Sequence, residues 1–85
     1  MDEVLGRFMH DGRIAVMPTK RSKRLLVLDH VVQSFELGRT YPERDVDAVL
    51  KGFHDDHAAL RRYLVDEGFL TREDNVYWRT GGTVS

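Results

Sequence analysis

Two β-prone runs, Phe69 to Arg72 and Val76 to Thr80, flank Asp74-Asn75 near the end of a chain whose earlier stretches carry helical spacing. Asp and Asn tolerate left-handed backbone angles, so the pair predicts a tight hairpin. Three helices alone make a generic bundle. A hairpin set after them, with a very short polar-aromatic segment between the first two, narrows the choice of fold sharply.

The helices are legible from their apolar spacing. Leu25, Leu28, Val32 and Phe35 fall at i, i+3, i+7 and i+10, with Val31 beside them, which predicts a helix over 20–37 stopped by Gly38. Arg39-Thr40-Tyr41 is long enough for one strand-like bridge. Pro42 then opens a second helix to about Gly52 that buries Val46, Val49 and Leu50, and Thr40 and Glu43 have capping-box spacing. Asp55 or Asp56 is a natural N-cap for a third helix, with Leu60, Tyr63 and Leu64 inward and Gly68 at its end. Ahead of all this, Val4, Leu5, Phe8 and Met9 share one face of a short helix. Asp11-Gly12 marks a turn, and Arg13 to Met17 forms a short strand, so that residues 1–18 read as an arm packed across the domain. The expected fold is therefore α+β, mainly α: a single domain over 1–80 with a winged helix-turn-helix-like three-helix core and a C-terminal β-hairpin as the wing, followed by a flexible tail over 81–85.

Size and composition limit the function. Eighty-five residues hold one small domain, and with no cysteine there is neither a disulfide framework nor thiolate chemistry. No apolar run reaches the length of a membrane span and the first residues are acidic, so a cytoplasmic protein without a membrane partner is expected. Glycine-rich phosphate loops, Gly-x-Ser-x-Gly and His-Glu-x-x-His are all absent, and the expectation is a protein that is not an enzyme and uses no cofactor. His54-Asp55-Asp56-His57 has metal-ligand residue types at short spacing. At a helix start these side chains point in different directions, so Asp capping beside a partly buried His explains them better than a metal.

The formal charge of −1 hides a polarised chain: residues 1–39 hold 7 basic and 5 acidic residues, a net of +2, and residues 40–85 hold 6 and 9, a net of −3. Lys20, Arg21, Lys23 and Arg24 cluster at one helix start, where cations oppose the helix dipole. They read either as a phosphate-binding patch or as a solvated face paired with the acidic half. On the third helix a wheel with Leu60 inward puts Asp55, Ala58, Arg62, Val65 and Asp66 outward and Arg61 on the flank. One of the two arginines is expected to bridge to Asp45 or Asp47, and Arg62 to pair with Asp66. On the hairpin Arg72 and Arg79 share a face with Leu70 and Tyr77; the other face carries Phe69, Val76 and Trp78, with Trp78 the expected core anchor.

Gly12 to Leu28 (GRIAVMPTKRSKRLLVL), Gly38 to Leu50 (GRTYPERDVDAVL), Phe53 to Glu73 (FHDDHAALRRYLVDEGFLTRE) and Tyr77-Trp78-Arg79 together resemble the domain of unknown function 2087 family over roughly residues 8–80. The most specific pieces are Asp56 with Leu60 to Asp66 and the closing Tyr77-Trp78-Arg79. Pro42 departs from the pattern, which carries a Ser or Thr cap there. The resemblance implies a prokaryotic domain associated with helix-turn-helix regulators. Two functions follow. The first is a winged-helix-like domain that binds double-stranded DNA in transcriptional regulation through Lys20, Arg21, Lys23, Arg24, Arg61, Arg62, Arg72 and Arg79. The second is a protein-interaction module of the same fold, as a homodimer or on a regulator protein.

Overall fold

Both predicted reversals form. In the computed structural model, which describes residues 3–84, Asp11, Gly12, Asp74 and Asn75 all take positive φ. Such a pair of left-handed steps gives a two-residue turn whose twist matches antiparallel strands. The first turn joins β1 (Met9–His10) to β2 (Arg13–Ile14), and the second joins β4 (Leu70–Glu73) to β5 (Val76–Arg79). Between them lie α2 (Arg21–Val32), β3 (Thr40–Pro42), α3 (Glu43–Lys51) and α4 (His57–Asp66), with α1 (Glu3–Phe8) in front. Among the described residues the result is an α+β fold of four helices and two antiparallel sheets, β1-β2 and β3-β5-β4. No helix among the described residues is long and apolar enough to cross a membrane.

The N-terminal segment is built as α1 plus a hairpin, and Met9, expected on the helix face, opens β1 instead. Of that face, Leu5 and Phe8 pack against the core; the Val4 side chain and residues 1 and 2 lie outside the described residues. The hairpin docks by a bond from Ile14 N–H to Phe53 O (2.6 Å) and by Arg13, which reaches Lys51 O (2.8 Å) and Asp55 Oδ1 (2.7 Å).

α2 ends at Val32, five residues short of the expected Leu37. Phe35 keeps the helical phase in sequence, yet it enters the core from a turn and meets Tyr41 edge to face at 5.1 Å. The Glu36 N–H, which a continuing helix would bond to Val32 O, donates to the Tyr41 hydroxyl instead (2.8 Å). Gly38, left-handed at φ 79°, therefore belongs to the following loop and not to a helix cap. α3 is capped by Pro42 with no side-chain hydrogen bond; Thr40 sits in β3 opposite Trp78, so the Thr40–Glu43 capping box does not form. α4 follows the expectation at both ends. Asp56 Oδ1 accepts the Ala59 N–H (3.1 Å). Gly68, at φ 79°, lets Phe69 N–H reach Leu64 O (2.8 Å) while its own N–H bonds Val65 O (3.1 Å), the paired bonds that close a helix through a left-handed residue.

The core gathers Val27, Leu28, Val31, Val32 and Phe35 from the α2 segment, Val46 and Leu50 from α3, Leu60 and Leu64 from α4, and Leu70 and Tyr77 from the hairpin. Tyr77, 1% exposed, is the anchor of the hairpin, and Trp78 is only half-buried on the opposite face. The expectation for Trp78 is thus corrected. The register, Leu70 opposite Arg79 and Arg72 opposite Tyr77, turns the Leu70–Tyr77 face inward.

The tail makes hydrogen bonds to the α2 segment and to β5. Among the described residues 81–84, Thr83 N–H donates to Asp29 Oδ1 (2.6 Å), and Thr83 O accepts from Gln33 (2.9 Å) and Arg79 (2.8 Å). Gly82 holds φ 97° against Val32, where an added Cβ would stand 2.5 Å from Val32 Cγ1. Only glycine fits both that angle and that space. Ser85 lies outside the described residues.

Candidate nucleic-acid interface

α4 and the β4–β5 hairpin form the walls of an open groove of about 520 Å³. Ala58, Arg62 and Asp66 line it from the helix and Arg72 from the hairpin, with Arg61 and Tyr77 at its base. The wheel drawn from Leu60 is sound for α4: Ala58, Arg62 and Asp66 are exposed and Val65 is half-buried. Asp55 lies before the helix, paired with Arg13 at 2.7 Å.

A charged network joins the groove to α3. The Tyr77 hydroxyl donates to Glu43 Oε1 (2.7 Å), Arg61 Nε stands 3.7 Å from the same oxygen, and Arg61 Nη1 bonds Asp47. Burial pushes the Tyr77 phenol above its ordinary value of 10.0, and the hydrogen bond to Glu43 with the negative charge of that carboxylate adds to the shift. Partial burial works against the Arg61 charge, but the bond to Asp47 and the nearby carboxylates outweigh it and raise its pKa. Arg61 is therefore a permanent cation already matched by acids. It is the arginine expected to bridge to the preceding helix, with Asp47 as its partner.

The eight cations singled out in the sequence divide by what surrounds them. Lys20 is exposed at the N-cap of α2, and Lys23 is half-buried; neither has an ion pair among the described residues. Arg21 is bound to Glu67, the residue just after α4 (2.9 Å). Arg24 is folded back, with Nη1 3.0 Å from Thr19 O and the guanidinium 5.1 Å above the Tyr63 ring. Arg62 and Arg72 are exposed and have no ion pair among the described residues, so the expected Arg62–Asp66 bridge does not form.

Arg79 is the largest correction. It is 8% exposed, and its nitrogens donate to Phe35 O (3.2 Å), Gly81 O (2.9 Å) and Thr83 O (2.8 Å). A side chain enclosed in that way has no face left for a phosphate.

The groove thus unites Arg61, Arg62 and Arg72, while Arg21 engages Glu67 just after α4 and Arg24 engages Tyr63 of α4, both outside its lining. Tyr77 and Glu43 were not anticipated as members of the site. The signal for Tyr77 was present, since its alternation with Arg79 places it on the Leu70 face; nothing in the sequence marks Glu43 as its acceptor. At the start of α4, His54 Nδ1 accepts the Asp56 N–H (2.9 Å), as part of the turn that leads into the helix. No group of three or more His, Cys, Asp or Glu among the described residues is arranged to hold a metal.

A family model described as "Uncharacterized protein conserved in bacteria (DUF2087)" matches residues 13–79, from the strand β2 to the last residue of β5. The chain belongs to this family. The DUF2087 match covers the core, both walls of the groove and the Tyr77–Glu43–Arg61 network, and leaves α1, β1 and residues 80–84 outside it. No curated protein and no solved structure matches the chain.

Proposed function

We propose that this DUF2087 domain is a small winged-helix module that binds double-stranded DNA in bacterial transcription regulation, binding rather than catalysing. The order α2–β3–α3–α4–β4–β5 with strands arranged β3-β5-β4 supports it, since in a winged helix the third core helix enters the major groove and the hairpin flanks it. The observation that carries the reading is the open groove whose two walls present guanidinium groups with no ion pair among the described residues, Arg62 from the helix and Arg72 from the hairpin. Phosphate contacts fall to Arg72 with Lys20 and Lys23, and Arg62 faces the bases.

Three phosphate contacts set the scale of the electrostatic affinity. Counterion release predicts a slope of log K against log salt of about −3, where eight contacts would give about −7. Fluorescence anisotropy on random-sequence duplexes, titrated with salt, measures it. Binding at low salt with a slope near −3 is expected, and no binding at low salt sinks the proposal.

Asp56 and Asp66 in the same groove favour the second reading, in which the fold docks a protein instead. Under it the groove takes a basic segment of a regulator or of a second copy, and a dimer in solution that shifts no DNA would establish it over the first.

A further inference from the structure

Arg62 and Asp66 stand one turn apart on α4, about 6 Å along the axis at the helical rise. Both are exposed and both line the groove, and no ion pair joins them; with the arginine N-terminal to the aspartate, theirs is the weaker i, i+4 order on a helix surface. A carboxylate on a surface that meets DNA is repelled by phosphate but not by every base edge. In the major groove guanine offers N7 and O6 as acceptors, while cytosine offers its N4 amino group as a donor. A guanidinium and a carboxylate, not paired with each other and both exposed, present the complementary set.

We propose that Arg62 and Asp66 together read G·C pairs: Arg62 donates to guanine N7 and O6, and Asp66 accepts from the cytosine N4 amino group. The inference rests on the DNA-binding reading above and gives it a sequence preference. It also accounts for a carboxylate on the groove-facing side of α4. The outer face formed by Arg62 and Asp66 is neutral as a pair and contributes discrimination, while attraction to the backbone comes from Arg72, Lys20 and Lys23. Ala58, one turn before Arg62, is small and exposed and leaves the arginine room to reach a base edge.

The decisive experiment selects binding duplexes from a random pool with the wild-type protein, Asp66→Asn and Arg62→Ala. Both side chains are exposed, so the variants keep the fold, which far-ultraviolet circular dichroism checks. The wild type is expected to enrich sites with guanine and cytosine at neighbouring positions. Asn pairs with adenine N6 and N7, so Asp66→Asn should exchange the cytosine preference for adenine, and Arg62→Ala should lose about 5- to 150-fold of discrimination at the guanine. On unaltered protein, a selected duplex carrying 7-deazaguanine, which lacks the N7 acceptor, should bind more weakly. If Asp66→Asn instead tightens binding to all duplexes alike with the base preference unchanged, Asp66 only repels the backbone; the inference then falls while DNA binding stands. If the wild type binds no duplex at all, both fall.

Discussion

Arg72 and Arg79 lie on the same face of one hairpin, opposite Tyr77 and Leu70, and meet opposite fates. Arg72, near the turn, opens onto the groove beside α4 and is exposed. Arg79, near the tail, is covered by the turn after α2 and by residues 81–84, and three carbonyls surround its guanidinium. The residue type and the strand alternation are the same. What differs is the structure across from each: a groove wall at one end of the hairpin and a folded-back tail at the other. A cation counted in the sequence is therefore a candidate for binding only after its surroundings are known.

The contrast is broken most directly by removing each arginine in turn. Arg79→Ala leaves the Phe35, Gly81 and Thr83 carbonyls without their donor and opens the seam between tail and sheet. It should cost about 3 kcal/mol, on the order of 15 °C in Tm, by urea and thermal unfolding. Arg72→Ala should stay within about 0.5 kcal/mol and lower affinity for duplex DNA instead. Equal stability losses from the two would erase the distinction between the ends of the hairpin.

Much of this was legible in the sequence, and the failures share a cause. The apolar spacing located α3 and α4, glycine closed α4 as predicted, and Asp74-Asn75 placed the turn. The alternation even put Arg79 on the Leu70–Tyr77 face, and only the general preference of arginine for water argued against reading that face as the core. Its long side chain instead finds carbonyl partners in a turn and a tail that are distant in sequence, at Phe35 and at Thr83. The end of α2 was missed in the same way. Phe35 satisfies the helical period, but Tyr41, six residues later, takes it into the core and captures the next N–H. The hydrogen bond that holds the groove base, Tyr77 to Glu43, joins residues 34 apart and leaves no periodic trace. Local patterns specified the elements; the partners of the polar groups are set by packing between them.

Tyr77 lies between the two ends of the hairpin and sharpens the contrast through pH. Tyr77→Phe removes the donor to Glu43 and should cost about 1 kcal/mol at neutral pH. Because the folded protein holds the phenol above 10.0, its contribution is full below that pH and is lost as pH rises through the raised value. The stability gap between wild type and Tyr77→Phe should thus be constant from neutral pH to about pH 10 and narrow above it, as followed by urea unfolding at stepped pH. A gap that widens in alkali would mean that the ionised phenol is the form the network prefers.

The same division recurs at the start of α2 with smaller consequences. Arg21 is held by Glu67 at 2.9 Å, whereas Lys20, next to it in the chain, has no ion pair among the described residues. Arg21 is largely exposed, so Arg21→Ala should cost no more than about 1 kcal/mol of stability, and it should leave the salt dependence of DNA binding unchanged. Lys20→Ala should have no measurable effect on unfolding but flatten the slope of log K against log salt by about 0.9, the share of one phosphate contact. The two measurements separate a cation committed to the fold from one available to a ligand. If Arg21→Ala flattens the slope as much as Lys20→Ala does, then Glu67 releases Arg21 when DNA arrives, and an ion pair in the free protein does not predict which cations meet the backbone.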